Sequence, residues 1–279
     1  MSYKTILVHV DESERAKQRI AIAANIAVAQ DAHLIGAAMT GVSRYLFQTG
    51  TFEQRDPSLA AHLELLRQRA EHALDGFEPI VKKMGVSSYE QQIVDDEAGD
   101  GVSLWARYSD LVVIGQTNPD EPSPAVASDF PEYVIMNAGR PVLIVPYAGK
   151  FDTVGNRVLV AWDASMEATR AVTAAIPLLK HANNVTVMVF NPSAQLGVHG
   201  EQPGADIALF LARHGIKVEV SNQRTDVDVG NALLSLAMDL SSDMIVMGGY
   251  GHSRFREILL GGVTRTVLAS MTVPVLMAH

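Results

Sequence analysis

The segment Met244–Thr264 reads MIVMGGYGHSRFREILLGGVT and places a glycine-rich loop between an apolar run and a helical pattern. The run Met244–Met247 predicts a buried parallel strand, and Val263–Ser270 predicts a helix. Glycines let a backbone approach a ligand without Cβ clashes, and the unpaired N–H groups of a helix N-terminus favour an anion. The order of strand, loop and helix therefore predicts a phosphate-binding loop, with a flexible loop that needs positive φ as the alternative.

The pattern around this loop occurs twice in the chain. Thr5–Ser13 reads TILVHVDES, and 152 positions later Arg157–Ser165 reads RVLVAWDAS, so an apolar strand that ends in Asp-x-Ser is repeated. A second apolar run recurs as Asp110–Gly115 and, 133 positions later, as Asp243–Gly248. Self-similarity of this kind predicts two copies of one supersecondary unit.

The two offsets and the intervening patterns predict the domain organisation. The difference, 152 − 133 = 19 residues, is extra length in the first copy, which we place within residues 41–75. A short polar link at 147–150 predicts domains at residues 1–149 and 150–279, which we call the first half and the second half. Apolar runs alternate with helical patterns in both halves, which predicts an α/β fold with a parallel sheet covered on both faces. Ligands of such sheets bind beyond the carboxyl ends of the strands, where the strand order reverses.

The composition excludes several classes of protein. A formal net charge of −9 without a basic run argues against nucleic acid or an anionic membrane as partner. The absence of cysteine excludes disulfides, thiolate metal sites and cysteine catalysis. Asp11 and Glu12 interrupt the N-terminus where a signal peptide needs an apolar core, and no apolar run reaches the roughly eighteen residues of a membrane span. We therefore expect a cytoplasmic protein, and no His–carboxylate spacing predicts a metal site.

These residues resemble the universal stress protein family, specifically its tandem type with two domains in one chain. The motifs that carry the resemblance are VAWDAS at 160–165 and the glycine loop at 248–261. The resemblance implies two Rossmann-like domains of the adenine nucleotide alpha hydrolase-like kind, each a five-stranded parallel sheet of order 3-2-1-4-5. It also implies ATP or ADP as ligand, with or without Mg²⁺. Domains of this family pair through their last strands, which would join 141–145 to 274–278 as a pseudo-dimer or link two chains as a homodimer.

The resemblance also implies a nucleotide site in the second half. The residues that match family positions around the nucleotide are Ala161, Asp163, Phe190, Met247, Gly248, Gly251, Gly261, Gly262, Val263 and Thr264. Asp163 would contact the adenosine part, but Asp163 or Ser165 could instead cap the next helix. The apolar members could equally be core residues. Gly262 stands where the family usually has Ser or Thr, which removes a hydroxyl donor to the phosphates.

The first half has lost the glycine loop. Gly115 is kept, but the 133 offset places Asn118 at the position of Gly251 and Asp129 at that of Gly262. The intervening prolines cannot donate backbone N–H groups, and several acidic residues add negative charge. We predict that the first half does not bind ATP in this manner.

Three polar features of the first half have simpler interpretations. Asp11 has the same two interpretations as Asp163, with helix capping favoured. His9 is predicted to be a hydrogen-bonded core or crevice histidine rather than a ligand. The acidic cluster that includes Asp95 and Asp96 is predicted to be a solvated loop after the third strand.

Three functions remain open from the sequence. The first is a stress-response regulatory module that holds ATP or ADP in the second half. The second is a slow ATPase, but the chain lacks the Gly-x4-Gly-Lys-Ser/Thr loop, and no motif places a general base, so no catalytic residue is predicted. The third is an interaction scaffold or a binder of another small ligand. It remains an alternative because Gly262 stands where the family usually has Ser or Thr.

Overall fold

A computed structural model describes residues 2–44, 57–121, 123, 126–192, 202–251 and 262–279. Within these ranges the chain forms ten β-strands and nine α-helices. It divides into two compact units, residues 2–140 and 141–279. No helix in the ranges described is long and apolar enough to cross a membrane.

The unit of residues 2–140 contains four strands and five helices in its described part. In chain order they are β1 (Thr5–His9), α1 (Ala16–Gln30), β2 (His33–Met39), α2 (Pro57–Leu74), α3 (Phe77–Lys83), β3 (Tyr89–Val94), α4 (Ala98–Ala106), β4 (Leu111–Gly115) and α5 (Phe130–Asn137). The strands are parallel and lie in the order β3-β2-β1-β4. Because the order reverses between β1 and β4, right-handed crossovers place the helices on opposite faces, with α1 against α3 and α4 against α5.

The helical pattern that follows β2 forms two helices rather than one. The break lies at Asp75 and Gly76, between α2 and α3. Phe77 at the start of α3 is fully buried, and a Cβ on Gly36 of β2 would lie 2.6 Å from its ring. The glycine in β2 therefore leaves room for the aromatic ring that anchors α3 on the sheet.

The unit of residues 141–279 contains six strands and four helices in its described part. In chain order they are β5 (Val142–Val145), β6 (Arg157–Ala161), α6 (Met166–Leu179), β7 (Asn184–Phe190), α7 (Ala205–Arg213), β8 (Val218–Gln223), α8 (Val229–Asp239), β9 (Met244–Gly248), α9 (Gly262–Ser270) and β10 (Val275–Ala278). Strands β8-β7-β6-β9-β10 are parallel, which is the order 3-2-1-4-5. Strand β5 runs antiparallel against β10, so the last strands of the two halves pair as the resemblance implies.

The apolar runs that define the repeat form the buried core. Strands β1, β4, β6 and β9 are mainly buried, and Leu7, Val112, Leu159 and Ile245 are each 0% exposed. Strands covered on both faces need continuous apolar runs, whereas half-exposed strands alternate. The predicted fold class, tandem α/β domains with mostly parallel sheets, is confirmed.

Candidate functional site

The residues proposed for the nucleotide in the second half lie at the carboxyl ends of neighbouring strands. Ala161 ends β6, Phe190 ends β7, and Met247 and Gly248 end β9. Strand β6 pairs with both β7 and β9, and the strand order reverses between β6 and β9. These strand ends therefore border one crevice at the switch point of the sheet.

The start of α9 completes this crevice. Gly262, Val263 and Thr264 form its first turn, and the backbone N–H of Tyr250 donates to Thr264 Oγ1 at 3.2 Å. Thr264 is buried, whereas Gly262 is exposed and a Cβ there would meet no atom within 4 Å. Gly261 lies outside the described residues. The loop after β9 is thus tied to the N-terminus of α9.

The Asp-x-Ser motif of the second half shapes the start of α6. Ser165 is the N-cap, and its Oγ accepts from the backbone N–H of Ala168 at 3.1 Å. Asp163 Oδ1 accepts from the backbone N–H of Ser165 at 3.0 Å. Ala164 between them has φ of 60°, a conformation that side chains rarely adopt, which turns the chain sharply from β6 into the helix. Ser165 therefore supplies the cap, and Asp163 holds the turn while lying half-buried in the crevice.

Glycine is required where the end of β9 meets α6. A Cβ on Gly248 would lie 2.6 Å from the backbone nitrogen of Ala168 and 2.9 Å from the carbonyl carbon of Glu167. A Cβ on Gly251 would lie 3.5 Å from Ser165 Oγ. The loop therefore runs directly over the N-terminus of α6. Two helix N-termini, those of α6 and α9, converge on it, and each carries a partial positive charge.

Sequence reasoning missed two residues of this crevice. Glu167, in the first turn of α6, places its carboxylate beside Gly251, and its only sequence signal is an acidic residue two positions after the cap. Asn191 follows β7 with φ of 49° and exchanges two hydrogen bonds with the backbone of Thr225, at 2.9 and 3.1 Å. These bonds fix the carboxyl ends of β7 and β8 relative to each other.

The same motif in the first half makes different contacts. Asp11 Oδ1 accepts from the backbone N–H and the hydroxyl of Ser13 and, at 2.8 Å, from Arg19 Nη2. Helix α1 begins only at Ala16, and its N-cap Arg15 makes no side-chain cap. The prediction that Asp11 caps the helix is therefore wrong, because its carboxylate is bound to Arg19 instead.

Arg19 fills the switch point of the first half. Its side chain is 3% exposed, its Nε donates to the carbonyl oxygen of His9 at 2.7 Å, and a Cβ on Gly115 would lie 2.5 Å from its Nη1. Burial alone would raise the pKa of Asp11, but the charge of Arg19 and then the neighbouring His9 and Ser13 hold it well below its usual range. The crevice between β1 and β4 is thus occupied by an ion pair of the protein itself.

His9 lies behind this ion pair and is buried, as expected, with an exposure of 2%. Its ring centroid lies 4.9 Å from that of Phe130, and its Nδ1 lies 3.7 Å from Asp11 Oδ2. Among the described residues this Nδ1 has no hydrogen-bond partner, so the expected hydrogen bond is not found there. Burial lowers the pKa of His9 to about 4, although Asp11 opposes the shift. The imidazole is therefore neutral at pH 7.

Other carboxylates at this edge of the first half are also paired with arginines. Glu12 binds Arg69 across the mouth of a cavity that His9 and Thr40 help to line, and Asp95 lies 3.1 Å from Arg67 Nη1.

Asp96 corrects the expectation of a solvated acidic loop. It is 2% exposed, pairs with the Arg44 guanidinium, and accepts from the backbone N–H of Arg44 at 3.2 Å and of Glu97 at 3.0 Å. The other acidic residues of the cluster are partly or fully exposed. The sequence around Asp96 does not reveal the arginine, because Arg44 is distant along the chain.

Comparisons with known proteins agree with the repeat. The model of the universal stress protein family matches residues 2–146 and again 155–279. The universal stress protein Slr1230 of Synechocystis is 28% identical over 155 residues, which are 52% of this chain and 49% of that protein, so the chain spans about half the length of this curated relative.

Solved structures show the same fold. A universal stress protein from Archaeoglobus fulgidus superposes with a TM-score of 0.72 at 17% identity, covering 98% of this chain and 95% of that one. Another similar structure is a universal stress protein in complex with cAMP, with 22% identity, a TM-score of 0.32 and coverage of 52% of this chain and 97% of that one. The Archaeoglobus structure, which covers nearly the whole chain, therefore shares its fold.

Proposed function

Because the chain belongs to the universal stress protein family, we propose that its second half binds ATP or ADP and that the chain is a nucleotide-dependent regulator of the stress response. The observation that carries this proposal is the convergence of two helix N-termini on the glycine loop after β9. We propose that the chain acts in the cytoplasm, where nucleotide is abundant.

The phosphates would lie against the loop after β9. Gly248 and Gly251 leave the backbone there without Cβ atoms, and the first turns of α6 and α9 direct partial positive charge towards it. Gly262 lacks the hydroxyl that Ser or Thr would supply at this position. Its backbone remains exposed at the start of α9, so the missing hydroxyl weakens the site without closing it.

The nucleoside would lie along the ends of β6 and β7. Asp163 would accept from the ribose hydroxyls, in the way an acidic residue does at the switch point of other nucleotide-binding sheets. Phe190 is 9% exposed and Met247 is 4% exposed, so both serve mainly the core. They would meet a base only through their outer edges, as would Ala161 and Val263.

The described part of the first half offers no equivalent phosphate site. Arg19 already neutralises Asp11 beneath Gly115, and Asn118 replaces the loop glycine. Arg19, which could otherwise attract a phosphate, is thus paired with a carboxylate of the protein. We therefore propose a single nucleotide per chain.

Regulation is favoured over catalysis. The second half lacks the Gly-x4-Gly-Lys-Ser/Thr loop, and no lysine follows Lys217, so neither the glycine loop nor α9 supplies a lysine for phosphoryl transfer. A pseudo-dimer is favoured over a homodimer. Strand β5 already pairs with the outer edge of β10, so the backbone groups of that edge are hydrogen-bonded within one chain and are not free to pair with a second chain.

Calorimetric titration of ATP with Mg²⁺ into nucleotide-free protein tests the proposal. Gly251→Asp puts bulk and negative charge into the loop, and Asn118→Asp puts the same charge at the matching position of the first half. We expect one site in the wild type and in Asn118→Asp, and no binding in Gly251→Asp. Binding retained by Gly251→Asp would contradict the second-half site, and no heat with no thermal stabilisation of the wild type would favour an interaction scaffold.

A further inference from the structure

A carboxylate from α6 lies against the proposed phosphate loop. Glu167 is the second residue of α6 and is half-buried. Its Oε2 lies 3.0 Å from the position that a Cβ on Gly251 would take, and its own Cβ lies 3.0 Å from the corresponding point on Gly248. Gly248 and Gly251 therefore both lie beside this one side chain.

Glu167 differs from the acidic residues at the same edge of the first half. Asp11, Glu12, Asp95 and Asp96 are each bound to an arginine. Among the described residues, Glu167 has neither a hydrogen bond nor an ion pair. Its negative charge is therefore not neutralised by a described side chain, and it faces the place where phosphate charge would lie.

This position has opposite consequences for free and for metal-bound nucleotide. Two negative charges a few ångströms apart repel each other, so the carboxylate opposes free ATP or ADP. A divalent cation reverses the sign, because Mg²⁺ is held in proteins by one or two carboxylates together with the phosphate oxygens of the ligand. Ser165 Oγ, 3.5 Å from the same Cβ position of Gly251, adds a second hard oxygen donor.

The protein does not supply a complete cation site by itself. No group of three or more His, Asp or Glu side chains that could hold a metal ion is found in the part of the chain that the structure describes. The donor set of Glu167 and Ser165 fits a cation only when nucleotide oxygens complete it. Metal and nucleotide would therefore bind together.

We infer that Glu167 makes the second-half site selective for the divalent-metal complex of the nucleotide over the free nucleotide. This inference rests on the proposed function and adds the chemical form of the ligand. A carboxylate in the first turn of a helix also stabilises that helix through its dipole, but this role affects the stability of α6 and not the metal dependence of binding.

The test compares ATP affinity in excess Mg²⁺ with ATP affinity in excess EDTA. Glu167→Gln keeps the shape of the side chain and removes its charge. Asp239→Asn removes the same charge from the exposed last turn of α8, at the opposite edge of the sheet, and controls for overall charge. We expect wild type and Asp239→Asn to bind Mg-ATP about tenfold or more tightly than free ATP. In Glu167→Gln, free ATP should bind more tightly than to the wild type, and the ratio should fall to a few-fold.

The possible outcomes distinguish a failure of this inference from a failure of the proposed function. An unchanged ratio in Glu167→Gln would overturn the role of Glu167 and leave nucleotide binding intact. A fall in the ratio that is equal in Asp239→Asn would also overturn it, since overall charge would then be the cause. If wild type binds neither Mg-ATP nor free ATP, the proposed function fails and this inference fails with it.

Discussion

The two copies of the Asp-x-Ser motif follow matching strands but form different turns into the next helix. In the second half the Ser165 hydroxyl accepts from the helix, so α6 begins at once and its N-terminus lies against Gly248. In the first half the Ser13 hydroxyl donates to Asp11, and α1 begins later, at Ala16.

The residue that separates the two turns is Arg19. Its counterpart in the second half, at 19 + 152 = 171, is Ala171, which is fully buried and carries no charge. An arginine one turn inside the helix attracts the Asp carboxylate and fills the crevice. An alanine leaves the crevice to the glycine loop. The two crevices thus differ at this position in the following helix, which carries a charged side chain in the first half and a methyl group in the second.

The largest effect should follow from removing the Arg19 guanidinium. Arg19→Met leaves Ser13 as the only hydrogen-bond partner of the Asp11 carboxylate among the described residues, and breaking a buried pair in this way costs about 3 kcal/mol of unfolding free energy. We discount the upper end of the range because the Asp11 side chain is 20% exposed. The control Arg69→Met breaks the exposed pair with Glu12 and should cost less than about 1 kcal/mol. Equal losses of unfolding free energy in the two variants, measured by urea unfolding, would show that the buried pair stabilises the protein no more than the exposed pair.

Acidification should weaken the first half through His9. Because burial lowers its pKa to about 4, the unfolded state takes up the proton first. The stability due to neutral His9 is complete above about pH 6.5 and is lost as pH falls through the folded pKa. The loss amounts to about 2 kcal/mol between pH 7 and pH 5. Asp11, whose pKa is depressed, adds a further loss only at lower pH.

His9→Gln provides the comparison for this pH dependence. It removes the titrating group, so its unfolding free energy in urea should change much less between pH 7 and pH 5 than that of the wild type. The same pH slope in both proteins would assign the loss to other groups.

The strand-end glycines should differ in their tolerance of a methyl group. In Gly248→Ala the new Cβ meets the backbone of α6, which cannot move alone, and the cost should be about 2 kcal/mol. In Gly115→Ala the Cβ meets the end of the Arg19 side chain, which can shift, and the cost should be about 1 kcal/mol. Thermal unfolding of both variants measures the difference. A larger cost at Gly115 would mean that Arg19 is held more rigidly than the α6 backbone.

The smallest effect should distinguish the two serines. Ser165→Ala removes a helix cap and should cost about 1 kcal/mol, with faster amide exchange at Ala168. Ser13→Ala removes a donor to Asp11 but no cap, so exchange in the first turn of α1 should stay unchanged. Faster exchange there in Ser13→Ala would restore a capping role to the first motif.

The sequence was sufficient for the architecture because the fold depends on patterns that are local or repeated. Apolar runs that recur at offsets of 152 and 133 predict the strands, and their alternation with helices predicts that the strands are parallel. The same offsets identified Asn118 as the replacement of Gly251. Each of these inferences needs only the spacing of residues along the chain.

The contacts inside the crevices were not predictable in the same way. The role of Arg19 depends on how α1 is rotated against β4, and the role of Glu167 depends on the path of a loop that follows β9. The burial of Asp96 depends on Arg44, which is 52 positions away. Motif position therefore indicated which strand ends border the two crevices, and tertiary contacts determine which side chains occupy each crevice.

Amide hydrogen exchange with and without saturating Mg-ATP tests most directly the claim that one half binds nucleotide and the other does not. We predict slower exchange in residues 163–165 and 248–251 on addition of Mg-ATP. Residues 11–13 and 115–118 should be unchanged, because the pair of Asp11 and Arg19 already occupies their crevice. Protection of the first-half segments, or of neither set, would contradict the account.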